Sequence, residues 1–187
     1  MNNTISILAV SGSLRRSSSN TSILKTMTAL APAPVHIQLY EDIGNLPHFN
    51  PDTEHESLPM VAPWRKVVQE ADGVIFCTPE YAFGIPGALK NALDWLVGSG
   101  ELNGKPVAAI SASPLATGGD KALAALENTL TALGTVKSAN TLLNIPFIVK
   151  KLDAAGVLVD EATKQQLDNV LNALIDAITI SKRTAVE

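Results

Sequence analysis

The residues best suited to binding an anion lie together in residues 11–20, whose sequence is SGSLRRSSSN. The hydroxyl groups of this stretch can donate hydrogen bonds to a phosphate, and the guanidinium groups of Arg15 and Arg16 can neutralise its charge. A short apolar run, residues 5–10, comes directly before it and is typical of a strand buried on both faces of a parallel sheet. The stretch is therefore predicted to form a polar loop at the end of a buried strand.

A helix is expected directly after this loop, because Ile23, Leu24, Met27 and Leu30 follow helical spacing and the pattern ends before Pro32. The first turn of a helix has unpaired backbone N–H groups and the positive end of the helix dipole, and both favour a bound anion. The loop lacks the GxxxxGK[ST] pattern of a nucleoside-triphosphate P-loop. A plain serine N-cap with a solvated turn is the competing interpretation.

A second distinctive stretch, residues 78–95, has the sequence TPEYAFGIPGALKNALDW and follows an apolar run at residues 74–77. Pro79 and the flat ring of Tyr81 at the end of a strand could hold a planar ring system through backbone hydrogen bonds and apolar contact. A strand-ending turn with no ligand is the alternative. Residues 112–119, ASPLATGG, follow another apolar run, and their small side chains would let the backbone approach a ring edge.

Strands and helices alternate along the whole chain. The predicted strands are residues 5–10, 35–39, 74–78, 107–111 and 136–143. Five helices are expected. The first follows the first loop, and the second and third begin at Pro63 and Pro86, with the proline at the first helical position. The fourth covers a leucine repeat that ends at Gly134 as its C-terminal cap, and the last begins at about Asp160.

This alternation predicts a doubly wound α/β fold with a five-stranded parallel sheet in the flavodoxin-like order 2-1-3-4-5. In that order strands 1 and 3 are neighbours at the topological switch point, where α/β sheets bind their ligands. The loops after these two strands are residues 11–20 and 78–86. The sequence therefore predicts one ligand site built from its two most distinctive stretches.

Composition narrows the class of protein. A length of 187 residues, 46% of them apolar and 17% charged, fits a single domain over residues 1–187. The net charge of −4 argues against a nucleic-acid partner. No apolar run approaches the roughly 18 to 20 residues that a membrane span requires, and no leader pattern is present, so a cytoplasmic location is expected.

The residues give little support for a reactive cysteine, a metal site or a serine nucleophile. Cys77 is the only cysteine and lies in an apolar run, which is typical of a buried structural thiol. His36, His48 and His55 have no metal-ligand spacing, so no metal site is expected. No serine lies in a GxSxG elbow, which argues against serine-nucleophile hydrolysis.

The two distinctive stretches together resemble the NAD(P)H-dependent FMN reductase family, which includes bacterial quinone and chromate reductases. The family's GSLRxxSxN loop matches residues 12–20, and its TPEYNxSxPGxLKNAxDW stretch matches residues 78–95. The resemblance implies a flavodoxin-like fold, a non-covalently held FMN and NADPH or NADH as the cosubstrate. It also implies a homodimer or homotetramer with the flavin near a subunit interface.

Carried over by position, the resemblance also implies site residues. Those that would hold the phosphate are Ser13, Arg15, Ser18 and Asn20, to which the composition of the loop adds the hydroxyls of Ser11 and Ser19. Those that would line the flavin ring are Pro79, Glu80, Tyr81 and Ala82 on one side and Ala112 and Ser113 on the other. No catalytic acid or base is assigned, because hydride transfer needs none.

Three positions depart from the family pattern. Ala82 replaces the family's asparagine, and Gly84 replaces a common serine. Losing one side-chain hydrogen bond costs about 1 kcal/mol, or roughly fivefold in affinity, so FMN binding is expected to survive. Lys121 replaces an arginine, which keeps the positive charge but loses the planar fork.

The sequence as a whole predicts an FMN-dependent NAD(P)H oxidoreductase. Hydride would pass from NAD(P)H through bound FMN to a small acceptor: a quinone, free flavin, an azo compound or a metal oxyanion. Two alternatives stay open at this point. One is an FMN-binding electron carrier that does not oxidise nicotinamide, and the other is a member of the family that has lost its flavin.

Overall fold

The chain forms a five-stranded parallel sheet, described here from a computed structural model that covers residues 4–53 and 58–184. The strands are β1 (Ile5–Ser11), β2 (Val35–Tyr40), β3 (Gly73–Thr78), β4 (Val107–Ala112) and β5 (Leu142–Ile145). Their order across the sheet is β2-β1-β3-β4-β5, and every neighbouring pair is parallel. The predicted flavodoxin-like order is therefore confirmed.

Helices cover both faces of this sheet. The long ones are α1 (Ser19–Leu30), α2 (Val61–Glu70), α3 (Gly87–Asp94), α4 (Asp120–Ala132) and α5 (Glu161–Thr184). Helices α1 and α5 pack on one face, and α2, α3 and α4 pack on the other. All residues of β3 and β4 are buried, which explains why these strands are continuous apolar runs rather than alternating ones.

The predicted fifth strand is present, but its predicted bounds, residues 136–143, were wrong, because β5 begins only at Leu142 and ends at Ile145. Residues Ala139–Thr141 form a 3-10 helix, and the Thr141 hydroxyl bonds both the N–H and the carbonyl of Ser138 at 3.1 and 3.0 Å. Such local side-chain bonds compete with strand pairing. Val136 retains only an isolated bridge to Pro106.

The two helices predicted to begin at a proline in fact begin one or two positions away from the predicted start. Pro63 is the third residue of α2, which begins at Val61, and Pro86 immediately precedes α3. Because the first four N–H groups of a helix have no intrahelical acceptor, a proline fits any of these positions.

The long polar segment after β2 packs against α3 through two side chains. Asn91 Oδ1 accepts the Phe49 N–H at 2.8 Å, and the indole N–H of Trp95 donates to the Pro47 carbonyl at 2.8 Å. These two hydrogen bonds hold the segment after β2 in place as far as Phe49. His55 and its neighbours at residues 54–57 lie outside the described residues. Over residues 4–53 and 58–184, no helix is long and apolar enough to cross a membrane.

Candidate functional site

The three predicted ligand loops meet at the carboxyl edge of the sheet. Ser11 at the end of β1 is the register partner of Cys77 in β3, and Thr78 is the partner of Ser111 in β4. The Gly12 N–H also donates to the Cys77 carbonyl at 2.8 Å. The structure therefore brings the loops at residues 11–20, 78–86 and 112–119 to one edge, as the sequence predicted.

Local hydrogen bonds shape the β1–α1 loop. The Ser18 side chain accepts the Thr21 N–H at 3.4 Å and is the N-cap of α1. Ser11 Oγ accepts the Ser13 N–H at 3.3 Å, and Ser13 Oγ accepts the Arg15 N–H at 3.4 Å. Ser18 was predicted to hold the phosphate, and in the structure its hydroxyl caps α1, as the competing interpretation of this loop has it.

Asn20 supplies the clearest test of whether this loop fits a phosphate. Asn20 is 4% exposed, and its Oδ1 accepts a hydrogen bond from the Cys77 thiol at 3.2 Å. Within the part of the chain that the structure describes, its Nδ2 has no acceptor. A buried amide without an acceptor costs about 1 to 3 kcal/mol. A phosphate oxygen bound at the loop would be an acceptor for Nδ2, so the residues present fit FMN.

The Cys77 thiol is uncharged and so contributes no negative charge to the site. Burial raises its pKa well above the ordinary range, so the thiol stays protonated and donates to Asn20. This agrees with the structural interpretation of this cysteine.

The β3–α3 loop makes a tight turn from Tyr81 to Gly84. Tyr81 and Gly84 exchange two backbone hydrogen bonds of 3.0 Å, and the central residues Ala82 and Phe83 have φ of 50° and 63°. A non-glycine residue pays about 1 to 2 kcal/mol in this left-handed region. The turn thus holds backbone strain next to the predicted ring site, a place where strain often accompanies function.

The side chain of Glu80 points to a different role from the one predicted. Its Oε2 accepts the Ala122 N–H at 3.0 Å in the first turn of α4. The carboxylate therefore stabilises the N-terminus of that helix. Because the side chain is used in this way, Glu80 could contact a flavin ring only through its backbone.

The β4–α4 loop is held firmly against the end of β5. The Ser111 hydroxyl donates to the Gly118 carbonyl at 2.8 Å and accepts from Asn144 Nδ2 at 2.8 Å. Ser113 donates its N–H to the Ile145 carbonyl at 3.2 Å. Ala112 and Ser113 are both buried, and their loop lies next to the β3–α3 loop because β3 and β4 are neighbours.

Sequence reasoning missed three residues beside the β1–α1 loop. Thr21, Lys25 and Glu41 line a cleft with Arg15 and its neighbours. Thr21 and Lys25 are four positions apart on α1, so helical spacing could have placed them on one face below the loop. Glu41 comes from the end of β2 and could be found only through the sheet order.

A parallel sheet with this order, in which a loop rich in serine and arginine after β1 lies beside the loops after β3 and β4, defines a flavodoxin-like protein.

Comparison with known proteins narrows the class. The model of the NADPH-dependent FMN reductase family matches residues 5–149. An NAD(P)H-dependent FMN reductase of Pseudomonas aeruginosa is 33% identical over 177 residues, which cover 93% of this chain and 95% of that protein. A quinone reductase of Pseudomonas putida is 39% identical over 141 residues, covering 71% and 73%. The flavoenzyme NAD(P)H:(acceptor) oxidoreductase FerB of Paracoccus denitrificans superposes with a TM-score of 0.85 at 32% identity, covering 95% and 98%.

The chain therefore belongs to the NADPH-dependent FMN reductase family. It is an FMN-dependent oxidoreductase that uses NAD(P)H. The roles of its individual residues toward the flavin stay predictions.

Proposed function

We propose that this chain holds FMN across the carboxyl edge of β1, β3 and β4 and reduces a small quinone-type acceptor. The observation that carries the proposal is the buried Asn20 amide, whose Nδ2 has no acceptor within the described residues. Quinone reductases of Pseudomonas putida and Escherichia coli among the relatives support a quinone as the acceptor.

The β1–α1 loop would hold the phosphate of the cofactor. Arg15 is exposed and has no ion-pair partner within the described residues, so its guanidinium can turn toward a phosphate. Ser13 and Ser19 add hydroxyls, and the N-terminus of α1 adds unpaired N–H groups and a favourable dipole. Asn20 would donate from the side of β3.

The two later loops would position the ring. When bound, FMN supplies two-electron transfer from NAD(P)H to the acceptor. The chain contributes the flat surface of Pro79 and the Tyr81–Gly84 turn on one side and the buried Ala112 and Ser113 on the other. These walls orient the ring and limit the access of water, and the reaction requires no proton donor from them.

Exposed apolar side chains near this edge support an assembly of two or more copies. Tyr81 is 50% exposed, Phe83 79% and Leu115 64%, and all three belong to the loops of the proposed ring site. A second copy that covers them would remove apolar surface from water and close the site. A cytoplasmic location fits the same proposal, because reduced nicotinamide nucleotides are metabolites of that compartment.

The test is the absorbance spectrum of the purified protein under anaerobic conditions, before and after NADPH or NADH is added. We expect a yellow protein whose flavin absorbance is bleached by reduced nicotinamide and restored by a quinone. Free FMN at the same concentration, mixed with the same nucleotide, is the control. A yellow protein that is not bleached would indicate an electron carrier. A colourless protein that gives no heat on FMN titration would indicate a member that has lost its flavin.

A further inference from the structure

A cleft of about 500 Å³ lies between α1 and the segment that leads into α5. Clefts of roughly 300 to 1,000 Å³ are typical of sites for small organic molecules. Among the described residues, none of those predicted to hold FMN lines this cleft, and only Lys25 also lines the cleft beside the β1–α1 loop. The cleft at α5 is therefore separate from the proposed flavin site.

One wall of this cleft is a tight hairpin over residues 152–158. Leu152 and Leu158 form an antiparallel bridge, and the Asp153 N–H donates to the Val157 carbonyl at 2.9 Å. Asp153 Oδ1 also accepts the Val157 N–H at 2.8 Å, so the turn is closed from both sides. Val157, which is 56% exposed, and Leu158 give this wall an apolar surface. The hairpin is thus an ordered wall that a ligand does not have to build.

The opposite wall, on α1, changes from polar to apolar along the helix. Ser22, Lys25 and Thr26 lie nearer the N-terminus of α1, and Ala29 and Leu30 lie in its last turn. Because residues three or four positions apart are neighbours on a helix, these side chains share one face. The cleft therefore matches a molecule that has one polar end and one apolar end.

Among the described residues, the lining of the cleft contains two lysines and no carboxylate. Lys25 forms no ion pair within residues 4–53 and 58–184. Lys164 pairs with Glu161 at 2.7 Å, and the Glu161 side chain is 83% exposed. An exposed pair of this kind contributes little to stability, so a bound anion can take the place of Glu161.

These charges favour a single carboxylate as the polar end of the ligand. The two lysines and Glu161 leave one positive charge unbalanced, which a carboxylate neutralises and a phosphate dianion would exceed. The hydroxyl of Ser22 adds a further hydrogen-bond donor. Asp153 does not compete for the lysines, because its Oδ1 accepts the N–H groups of Ala155 and Val157 at 2.9 and 2.8 Å.

We propose that this cleft binds a small organic carboxylate with an apolar tail. The carboxylate lies at Lys25 and Lys164, and the tail extends along Leu30 and Val157, where it removes apolar surface from water. The proposal goes beyond the proposed function and does not depend on it, because the loops of the flavin site contribute none of these residues.

The experiment is a calorimetric titration of octanoate into the protein in the presence of FMN, with 1-octanol, acetate and inorganic phosphate as comparators. We expect octanoate to bind once per chain, with a Kd of about 1 mM or below, and about tenfold or more tightly than each comparator. Lys164→Ala removes a charge-assisted hydrogen bond, and Val157→Asp places a carboxylate in the apolar wall, so each should weaken octanoate about tenfold. Lys66→Ala is the matched control, because it removes an exposed lysine that pairs with Glu70 on the other face of the sheet, and it should leave the affinity unchanged.

Several results would overturn the inference. Equally tight 1-octanol would show an apolar cleft with no preference for an anion, and equally tight acetate or phosphate would show a simple anion site. Displacement of FMN by octanoate, seen in the flavin absorbance, would place the ligand in the flavin site. An affinity that both Lys164→Ala and Val157→Asp leave unchanged, or that Lys66→Ala lowers equally, would place octanoate elsewhere. Octanoate that does not bind at millimolar concentration would remove the site, whether or not the protein takes up FMN.

Discussion

Arg15 is expected to make the strongest single contact between a side chain and the flavin phosphate. A hydrogen bond to a charged group contributes about 1.5 to 3 kcal/mol, so Arg15→Ala should weaken FMN binding tenfold or more. Titration of the flavin-free protein with FMN, followed by quenching of flavin fluorescence, measures the change. Arg183→Ala removes an exposed arginine from the end of α5 and is the control. An unchanged FMN affinity in Arg15→Ala would exclude this arginine from the site.

A substitution of Asn20 should lower the affinity for FMN without lowering the stability of the flavin-free protein. Asn20→Leu keeps the approximate size of the side chain. It removes an Nδ2 that has no acceptor within the described residues, which favours the fold, and also the weak acceptor of the Cys77 thiol, which opposes it. The free energy of unfolding of the flavin-free protein should therefore change by less than about 1 kcal/mol, while FMN affinity falls roughly fivefold or more. Urea unfolding and FMN titration measure the two quantities. A loss of stability of about 3 kcal/mol would show that the amide is structural.

At the scale of single residues, sequence reasoning was most reliable where one side chain acts on its own neighbourhood. A serine N-cap in the loop before α1 was one of the two interpretations of the sequence, and Ser18 has this role in the structure. The cap that Glu80 places on α4 joins residues 42 positions apart, and no local pattern could indicate it.

Among the elements, the Tyr81–Gly84 turn is strained by its sequence. Type I′ turns favour asparagine and glycine at their central positions, and this turn has Ala82 and Phe83 there. Ala82→Asn should raise the free energy of unfolding by about 0.5 to 1 kcal/mol, because asparagine tolerates the left-handed region. The same change at the exposed Ala124 of α4 should lower it by about 0.5 kcal/mol. Equal effects at both sites would argue against strain in the turn.

Helix α5 depends on one carboxylate at its start. Hydrogen bonds from Lys151 and then Thr163 lower the pKa of Asp160 from 3.8 to about 2. Because the folded pKa lies below the unfolded value, the unfolded chain binds the proton first. The stabilisation is therefore complete above about pH 4 and is lost as the pH falls toward 2. Urea unfolding of Asp160→Asn should show a smaller loss of stability over this range than the parent chain, and an unchanged profile would contradict the assignment.

The more deeply a strand is buried, the more accurately its bounds were predicted from the sequence. Strands β1, β3 and β4 are mostly apolar because helices cover both of their faces, and their positions were predicted to within one residue at each end. Strand β5 has only Ile145 fully buried and carries polar residues before it. Its apolar pattern is therefore weak, and the local bonds of Ser138 and Thr141 shift its start.

For the whole molecule, the exposed aromatic turn predicts association. We expect the chain to sediment as a dimer or tetramer at micromolar concentration and Phe83→Asp to shift it toward the monomer, because the change places a charge on apolar surface that a partner would bury. Ile180→Asp is the control, since Ile180 is 64% exposed on α5, away from the turn. A parent chain that sediments as a monomer would contradict the proposed assembly.

The whole-molecule arrangement of the site was predictable because topology decides it. Once the sheet order is known, the loops after β1 and β3 must be neighbours. The contributions of Thr21, Lys25 and Glu41 were not foreseen, because the cleft that they line combines the β1–α1 loop and α1 with the end of β2. Such a property appears only when all side chains are placed together.

The burial of Cys77 has a practical consequence. The chain contains no other cysteine, and this one is fully buried with its thiol held protonated. A cysteine introduced on the surface would therefore be the only readily alkylated group of its kind, without any change to the native sequence elsewhere. Spin or fluorescent probes could be attached in this way beside the turn, and distances between two labelled copies would report the geometry of the assembly in solution.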